Sequence, residues 1–171
     1  MKNLAVAFLF AFSLPAFSSQ LNLAVVQFPE VKTVAALDQA LAGINLGEMT
    51  NSNRTMTKTS YLQGGYVIFS QSFPLAARFK SATRLSNNRA DVDGTLGNGK
   101  IHVTISLSEG VAAGLRRFSS RMFQGTSDLK AGQPRVVSIR QISEKIRQVS
   151  RGDVSMAETI SCTAIIAQIS E

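Results

Sequence analysis

NGKIHVTISLS, residues 98–108, is the stretch from which the fold is read. Ile101, Val103, Ile105 and Leu107 alternate with His102, Thr104, Ser106 and Ser108. A strict period of two places all four apolar side chains on one face of a strand and the polar ones on the other. Asn98-Gly99 stands directly in front. Both central positions of a two-residue hairpin turn need positive φ, which Asn and Gly tolerate best, so the pair predicts a hairpin whose partner strand lies at residues 90–96.

Working outward, Ser108 is expected to cap a helix with Val111, Leu115, Phe118 and Met122 on one face and Arg116, Arg117 and Arg121 mostly on the other. Residues 134–150 admit two readings. Ile139, Ile142, Ile146 and Val149 have helical spacing, with Ser138 and Gln141 as a capping box; the β-branched content allows two short strands instead. Val154, Met156, Ile160, Cys162, Ala164 and Ile166 mark one face of a last long strand or hairpin. Toward the N-terminus, Tyr66, Val67, Ile68 and Phe69 are strand formers between Gly64-Gly65 and Pro74. Residues 21–28 form an apolar run ending at Pro29, a first strand. Val34, Leu37, Leu41 and Ile44 then predict a short amphipathic helix, with Thr33 as N-cap and Gly43 or Gly47 as its stop. Residues 48–60 are polar and read as a flexible connection. No linker divides the chain. The fold class expected is α+β, β-dominated and antiparallel, with two or three short amphipathic helices.

The whole chain has 171 residues, of which 44% are hydrophobic and 17% charged, enough apolar material for one domain with a proper core. One cysteine excludes an internal disulfide framework and a multi-cysteine zinc site. One histidine and no tryptophan leave little material for conventional metal or acid–base chemistry, and no cofactor is expected.

The first residues, MKNLAVAFLFAFSLPAFSS, have the order of a secretory signal: basic Lys2, an apolar run over residues 4–14, helix-breaking Pro15, then small residues Ala16 and Ser18 at the cleavage positions. Residues 1–18 are expected to be removed, leaving a single β-rich domain over 19–171 whose residues 19–60 hold the N-terminal strand, helix and connection. The apolar run is far shorter than the roughly 20 residues that span a bilayer, so the mature protein is expected to carry no transmembrane segment. No cysteine follows the run, which argues against a lipoprotein anchor. A bacterial periplasmic or secreted protein is the expectation.

Without Lys2 the net charge is still positive, and it is concentrated: residues 111–157 hold nine basic residues against three acidic ones. Such a region can meet an anionic membrane surface or an acidic protein. Nucleic acid is disfavoured, since only Phe118 and Phe123 are interleaved and no recognition motif is present.

Asp91-Val92-Asp93-Gly94-Thr95 resembles the nucleophile motif of haloacid-dehalogenase-type phosphatases. That chemistry needs an apolar parallel strand leading into the first aspartate, whereas Ser86-Asn87-Asn88-Arg89-Ala90 is polar, so a turn or hairpin start is favoured. His102, on the polar face of its strand, and Cys162, on the apolar face of its own, read as surface and core residues. A non-enzymatic protein is expected, with no catalytic and no metal-binding residues.

Residues 66–169 resemble the YceI-like family of small exported lipid-binding proteins. The resemblance is carried by the Tyr66–Phe69 strand, by Val103-Thr104-Ile105 running into Ser108, and by Phe118-Ser119-Ser120-Arg121-Met122-Phe123, similar to the family's helix that closes on Ser-x-x-Phe. A proline-containing return at residues 134–139 follows, and then Gly152-Asp153-Val154-Ser155-Met156, similar to the family's Gly-Asp-Leu-Thr-Leu strand. The resemblance implies a lipocalin-like antiparallel barrel around a cavity for a lipid, isoprenoid or other amphiphile. Its apolar lining would be Phe69, Phe79, Ile101, Val103, Ile105, Leu107, Phe118, Met122 and Phe123. Arg116, Arg117 and Arg121 would hold an anionic headgroup at the rim. The alternative expectation is an envelope or surface-assembly protein that docks an acidic partner through its basic C-terminal half, with a filled core instead of a cavity.

Overall fold

The computed structural model describes residues 19–48, 61–85, 88–109, 119–150 and 153–170. Strand accounts for 70% and helix for 9%, so the molecule is the β-dominated, antiparallel one expected from the alternation at residues 101–108. The strands are β1 (Gln20–Phe28), β2 (Tyr61–Leu62), β3 (Gly65–Pro74), β4 (Arg78–Leu85), β5 (Asn88–Gly97), β6 (Lys100–Glu109), β7 (Ser119–Asp128), β8 (Arg135–Ser150) and β9 (Asp153–Ser170), with helix α1 (Val34–Ala40) between β1 and β2. A second short helix begins at Leu46. The strands form a five-stranded sheet of order β2-β3-β1-β9-β8 and a four-stranded meander of order β4-β5-β6-β7. One of the sheets curls into a half-barrel.

The central hairpin forms as its sequence demands. Leu96 pairs with Ile101, and the intervening Asn98 and Gly99 have φ of 52° and 73°. Ala90, Val92, Ile101, Val103 and Ile105 face inward and meet Leu21, Leu23, Val25, Phe69 and Phe73 of the other sheet in one buried cluster. β1 is apolar on both sides because it is central. Its alternate residues Ala24, Val26 and Phe28 join a second cluster with Leu37, Leu41 and Leu46 of the helical segment. The architecture is therefore helix on sheet on sheet, with the five-stranded sheet buried on both faces. One buried polar residue interrupts β1. Asn22 Nδ2 donates to Ser170 Oγ at 2.9 Å, and Ser72 Oγ donates to Asn22 Oδ1 at 2.6 Å, so the flanking strands satisfy it.

Thr33 caps α1 as expected, its hydroxyl accepting from Ala36 N at 3.2 Å, and Gly43 follows the helix with φ 81°. Asp38 then ties α1 to the five-stranded sheet, accepting from Val136 N at 2.8 Å. Thr33→Ala is expected to lower stability by about 1 kcal/mol. A urea midpoint equal to that of the wild type would show that tertiary contacts alone hold the helix.

Two expectations are corrected. The helix expected after Ser108 does not continue to Met122: Ser119–Asp128 is strand β7, paired with β6 from Ser119↔Glu109 to Asp128↔Lys100. Arg121 and Met122 are thus strand residues. The reason is the period-two pattern downstream, where Phe123 and Gly125 face inward while Met122, Gln124 and Thr126 are exposed. Residues 134–150 are neither a helix nor two short strands but the single strand β8, since the β-branched residues find a full-length partner in β9. Within β8, Ile139 packs into the helix-side cluster. Ile142, three residues on, is partly buried at the opposite face, so the helical spacing reflects two faces of one strand. The expected signal segment, most of the connection at 48–60, and Val111, Leu115, Arg116, Arg117 and Phe118 lie outside the described residues.

Candidate functional site

Most of the expected cavity lining lies in the core between the two sheets. Phe69, Phe79, Ile101, Val103, Ile105 and Phe123 are buried in one cluster, and Leu107 packs against it partly buried. Met122 is instead on the outer face, 57% exposed. At two points this core is tightly filled. A Cβ on Gly94 would lie 2.3 Å from the Phe79 ring, and one on Gly125 would lie 2.7 Å from Val137 O and 2.5 Å from Ser138 Cβ. Phe73 and Phe79 meet across the sheets with ring centres 5.2 Å apart and planes tilted by 50°.

The concavity lies beyond Gly125, where β7 and β8 part company. These strands belong to different sheets, and past their close approach they leave a cleft of about 300 Å³. It is lined by Ser120, Arg121 and Phe123 from β7 and by Arg140, Gln141, Ile142 and Ser143 from β8. Arg121 pairs in register with Leu107, an inward position, which is why a strand arginine reaches this cleft while Met122 does not. Arg140 Nη1 donates to Met122 O at 3.2 Å, bridging the two sheets across the cleft. Two guanidinium groups from two sheets therefore flank one small opening. A guanidinium presents planar paired donors, so this arrangement suits an oxyanion. The volume is at the lower end for ligand sites.

Behind Arg140 the inner face of the five-stranded sheet turns polar. Gln27, Thr163 and Arg140 are register partners across β1, β9 and β8, so they form one row. Gln27 Nε2 reaches Ser161 Oγ at 3.5 Å. Thr163 is 1% exposed, and its hydroxyl has no hydrogen-bond partner among the described residues.

The other singled-out residues are placed apart from this cleft. Asp91 and Asp93 lie mid-strand in antiparallel β5, where Asp91 meets Arg89 at 2.8 Å and Asp93 meets Lys80 at 3.2 Å. The hydrogen bond to Asp91, with the attraction of its charge, raises the Arg89 guanidinium pKa above its ordinary value. His102 is exposed on the same outer face, with Nδ1 2.7 Å from Thr126 Oγ1. Cys162 is fully buried in the helix-side cluster, its thiol donating to Glu30 O at 3.1 Å. Among the described residues no group of three or more His, Cys, Asp or Glu could hold a metal, and no helix is long and apolar enough to cross a membrane.

Arg121 was accessible to sequence reasoning, but Arg140 stood out only as one of nine basic residues, and Thr163 not at all. The usable signal was the alternation over residues 121–126, which identifies a strand and sends Arg121 inward. Comparison with family models, with curated proteins and with solved structures finds no match for the chain.

Proposed function

We propose that the protein is an exported, non-enzymatic binding protein for a lipid, isoprenoid or other amphiphile, and that it holds the anionic end of its ligand in the cleft between β7 and β8. The observation that carries this reading is the convergence of Arg121 and Arg140 on one cleft that also contains Phe123 and Ile142. The cations supply the headgroup contact and the two apolar side chains its neighbour. About 300 Å³ takes a headgroup and the start of a chain, not a whole lipid, so the remainder stays in an anionic membrane surface or in solvent. Export rests on the N-terminal residues, and the carrier class on the resemblance to the YceI-like family. The second reading, an envelope or surface-assembly protein docking an acidic partner, draws support from the filled core at Gly94 and Gly125.

Native mass spectrometry on protein purified from its own envelope without detergent separates the two. A discrete adduct extractable into organic solvent supports the carrier. A clean apo mass, with no uptake of added isoprenoid or fatty acid, favours the protein-docking reading. In flotation with phosphatidylglycerol vesicles at low salt, Arg121→Glu combined with Arg140→Glu is expected to weaken association about tenfold or more, an effect that fades as salt screens the charges. Unchanged flotation would remove the cleft from the proposal.

A further inference from the structure

We infer that the protein carries a second anion site, a notch on the outer face of the four-stranded sheet that takes a small hydrophilic oxyanion. Register builds it. Arg78, Thr95, His102 and Thr126 are successive cross-strand partners over β4, β5, β6 and β7, so one row of side chains crosses the whole sheet. The next row toward the Asn98-Gly99 turn is Gly97, Lys100 and Asp128, and β4 begins too late to add a residue to it. The absent β4 residue and the absent side chain at Gly97 leave an opening of about 420 Å³ bounded by Arg78 and Lys100. That volume is within the range of small-molecule sites. A Cβ placed on Gly97 would meet nothing within 4 Å.

The charge at this notch has one sign. Among the described residues its lining holds Arg78, Lys100 and His102 and no acidic group. Two carboxylates of this face are taken up elsewhere, Asp91 by Arg89 and Asp93 by Lys80. Arg78 has no ion pair among the described residues, and Lys100 meets Asp128 only at 3.9 Å. Thr126 Oγ1 lies 2.7 Å from His102 Nδ1. An imidazole whose Nδ1 accepts from that hydroxyl carries its proton on Nε2, and so adds a donor to those of Arg78, Lys100 and Thr95. The neighbours of the cations separate this notch from the cleft between β7 and β8. There Phe123 and Ile142 stand beside the arginines. Here the neighbours are hydroxyls and an imidazole, Ala77 offers a single methyl, and Leu96 packs against the core. Donors without an apolar wall suit an anion that is hydrophilic throughout, such as a phosphorylated, sulfated or carboxylated sugar, and give an alkyl chain nothing to bury against.

His102 is the single histidine of the chain, so its ring protons give one set of NMR signals that reports on the notch alone. Titration of the untagged protein with glucose 6-phosphate, at low salt and constant pH, is expected to move these signals along a saturating curve. Gly97→Leu fills the notch without changing the charge, and is expected to abolish the saturation while melting as wild type does. Arg78→Gln combined with Lys100→Gln is expected to weaken binding about tenfold or more, the loss of charge-assisted hydrogen bonds. Asp128→Asn frees Lys100 and is expected to tighten binding about twofold, the scale of an exposed ion pair. Inorganic phosphate matching glucose 6-phosphate would assign the notch to the free ion, with the oxyanion site intact. Octyl phosphate binding tenfold tighter than glucose 6-phosphate would overturn the hydrophilic assignment. A shift that stays linear in ligand, or one that saturates equally in Gly97→Leu, would show diffuse attraction to a charged surface and overturn the site. The notch and the cleft fail separately, since Arg121→Glu with Arg140→Glu is expected to leave the His102 titration unchanged.

Discussion

Gly94→Val is expected to destabilise the protein by about 3 kcal/mol or more, lowering Tm by roughly 10 °C. Gly94 sits opposite Phe79 on β4 and opposite Val103 on β6, at an inward position of β5. The Phe79 ring lies across it: an added Cβ would meet Cζ at 2.3 Å, Cε2 at 2.6 Å and the backbone oxygen of His102 at 2.9 Å. The ring could turn aside, but Phe79 is buried against Phe73, and the His102 carbonyl is part of the sheet. Phe79→Leu in the Gly94→Ala background would relieve the ring clash and leave the carbonyl contact, so partial recovery is expected. A thermal melt of Gly94→Val within a degree or two of wild type would show that the sheets can part at this point without penalty, and with it that the core is looser than its packing indicates. The result bears on chemistry as well. The glycine in Asp91-Val92-Asp93-Gly94 is accounted for by the ring above it, and the two aspartates by Arg89 and Lys80 beside them.

The parts of the fold legible in the sequence are those where one local rule acts alone. Asn98-Gly99 needs only its own φ angles. Thr33 needs only the orphan amide of Ala36. Residues 101–107 need only one buried face. The rule failed where two patterns overlapped. Val111, Leu115, Phe118 and Met122 have the spacing of a helix, yet Met122 belongs equally to the alternation of residues 121–126, and the edge of β6 offered that segment a register partner. Ile139 and Ile142 look like one helical face and in fact serve two layers, because β8 lies over α1 on one side and meets β7 on the other. No single-segment period can show that a strand will be buried from both sides by elements distant in the chain.

The candidate site was less legible for the same reason. A cluster of basic residues is visible in composition, but which of them meet depends on how two sheets diverge. Arg121 and Arg140 are 19 residues apart in sequence and are brought together by strands that share no hydrogen-bonded ladder. Thr163 looks ordinary in an apolar strand. Its interest comes only from burial, an unpaired hydroxyl and a register partner that is an arginine.

That register is itself held by a side chain, which makes Gln168→Met the second large effect. Gln168 is 3% exposed on β9, on the helix side of the sheet. Its Oε1 accepts from Leu46 N at 2.6 Å, and its Nε2 donates to Ile44 O at 3.1 Å and Gly132 O at 3.0 Å. One side chain thus serves the segment after α1 and the turn before β8. Methionine keeps the length and removes all three bonds, leaving a buried amide and two carbonyls unsatisfied. At about 1–3 kcal/mol for each unsatisfied group, with some relief from water, a loss of about 4 kcal/mol is expected. Hydrogen exchange should locate it, with the Leu46 amide losing protection before the amides of β5 and β6. Gln168→Glu should be pH-dependent. Its carboxylate would face two carbonyl oxygens, so the folded state favours the protonated acid and raises its pKa. That variant is most stable at low pH and loses stability as pH rises through the folded-state value. Gln168 and Asn22 are register partners, so both polar side chains mark the face that β9 must turn toward α1. A slip of one residue would bury Gln168 among the apolar residues between the sheets and swing Thr163 away from Arg140. If Gln168→Met instead melts as wild type does, the register is held by the apolar pattern alone, and the pairing of Thr163 with Arg140 needs no polar anchor.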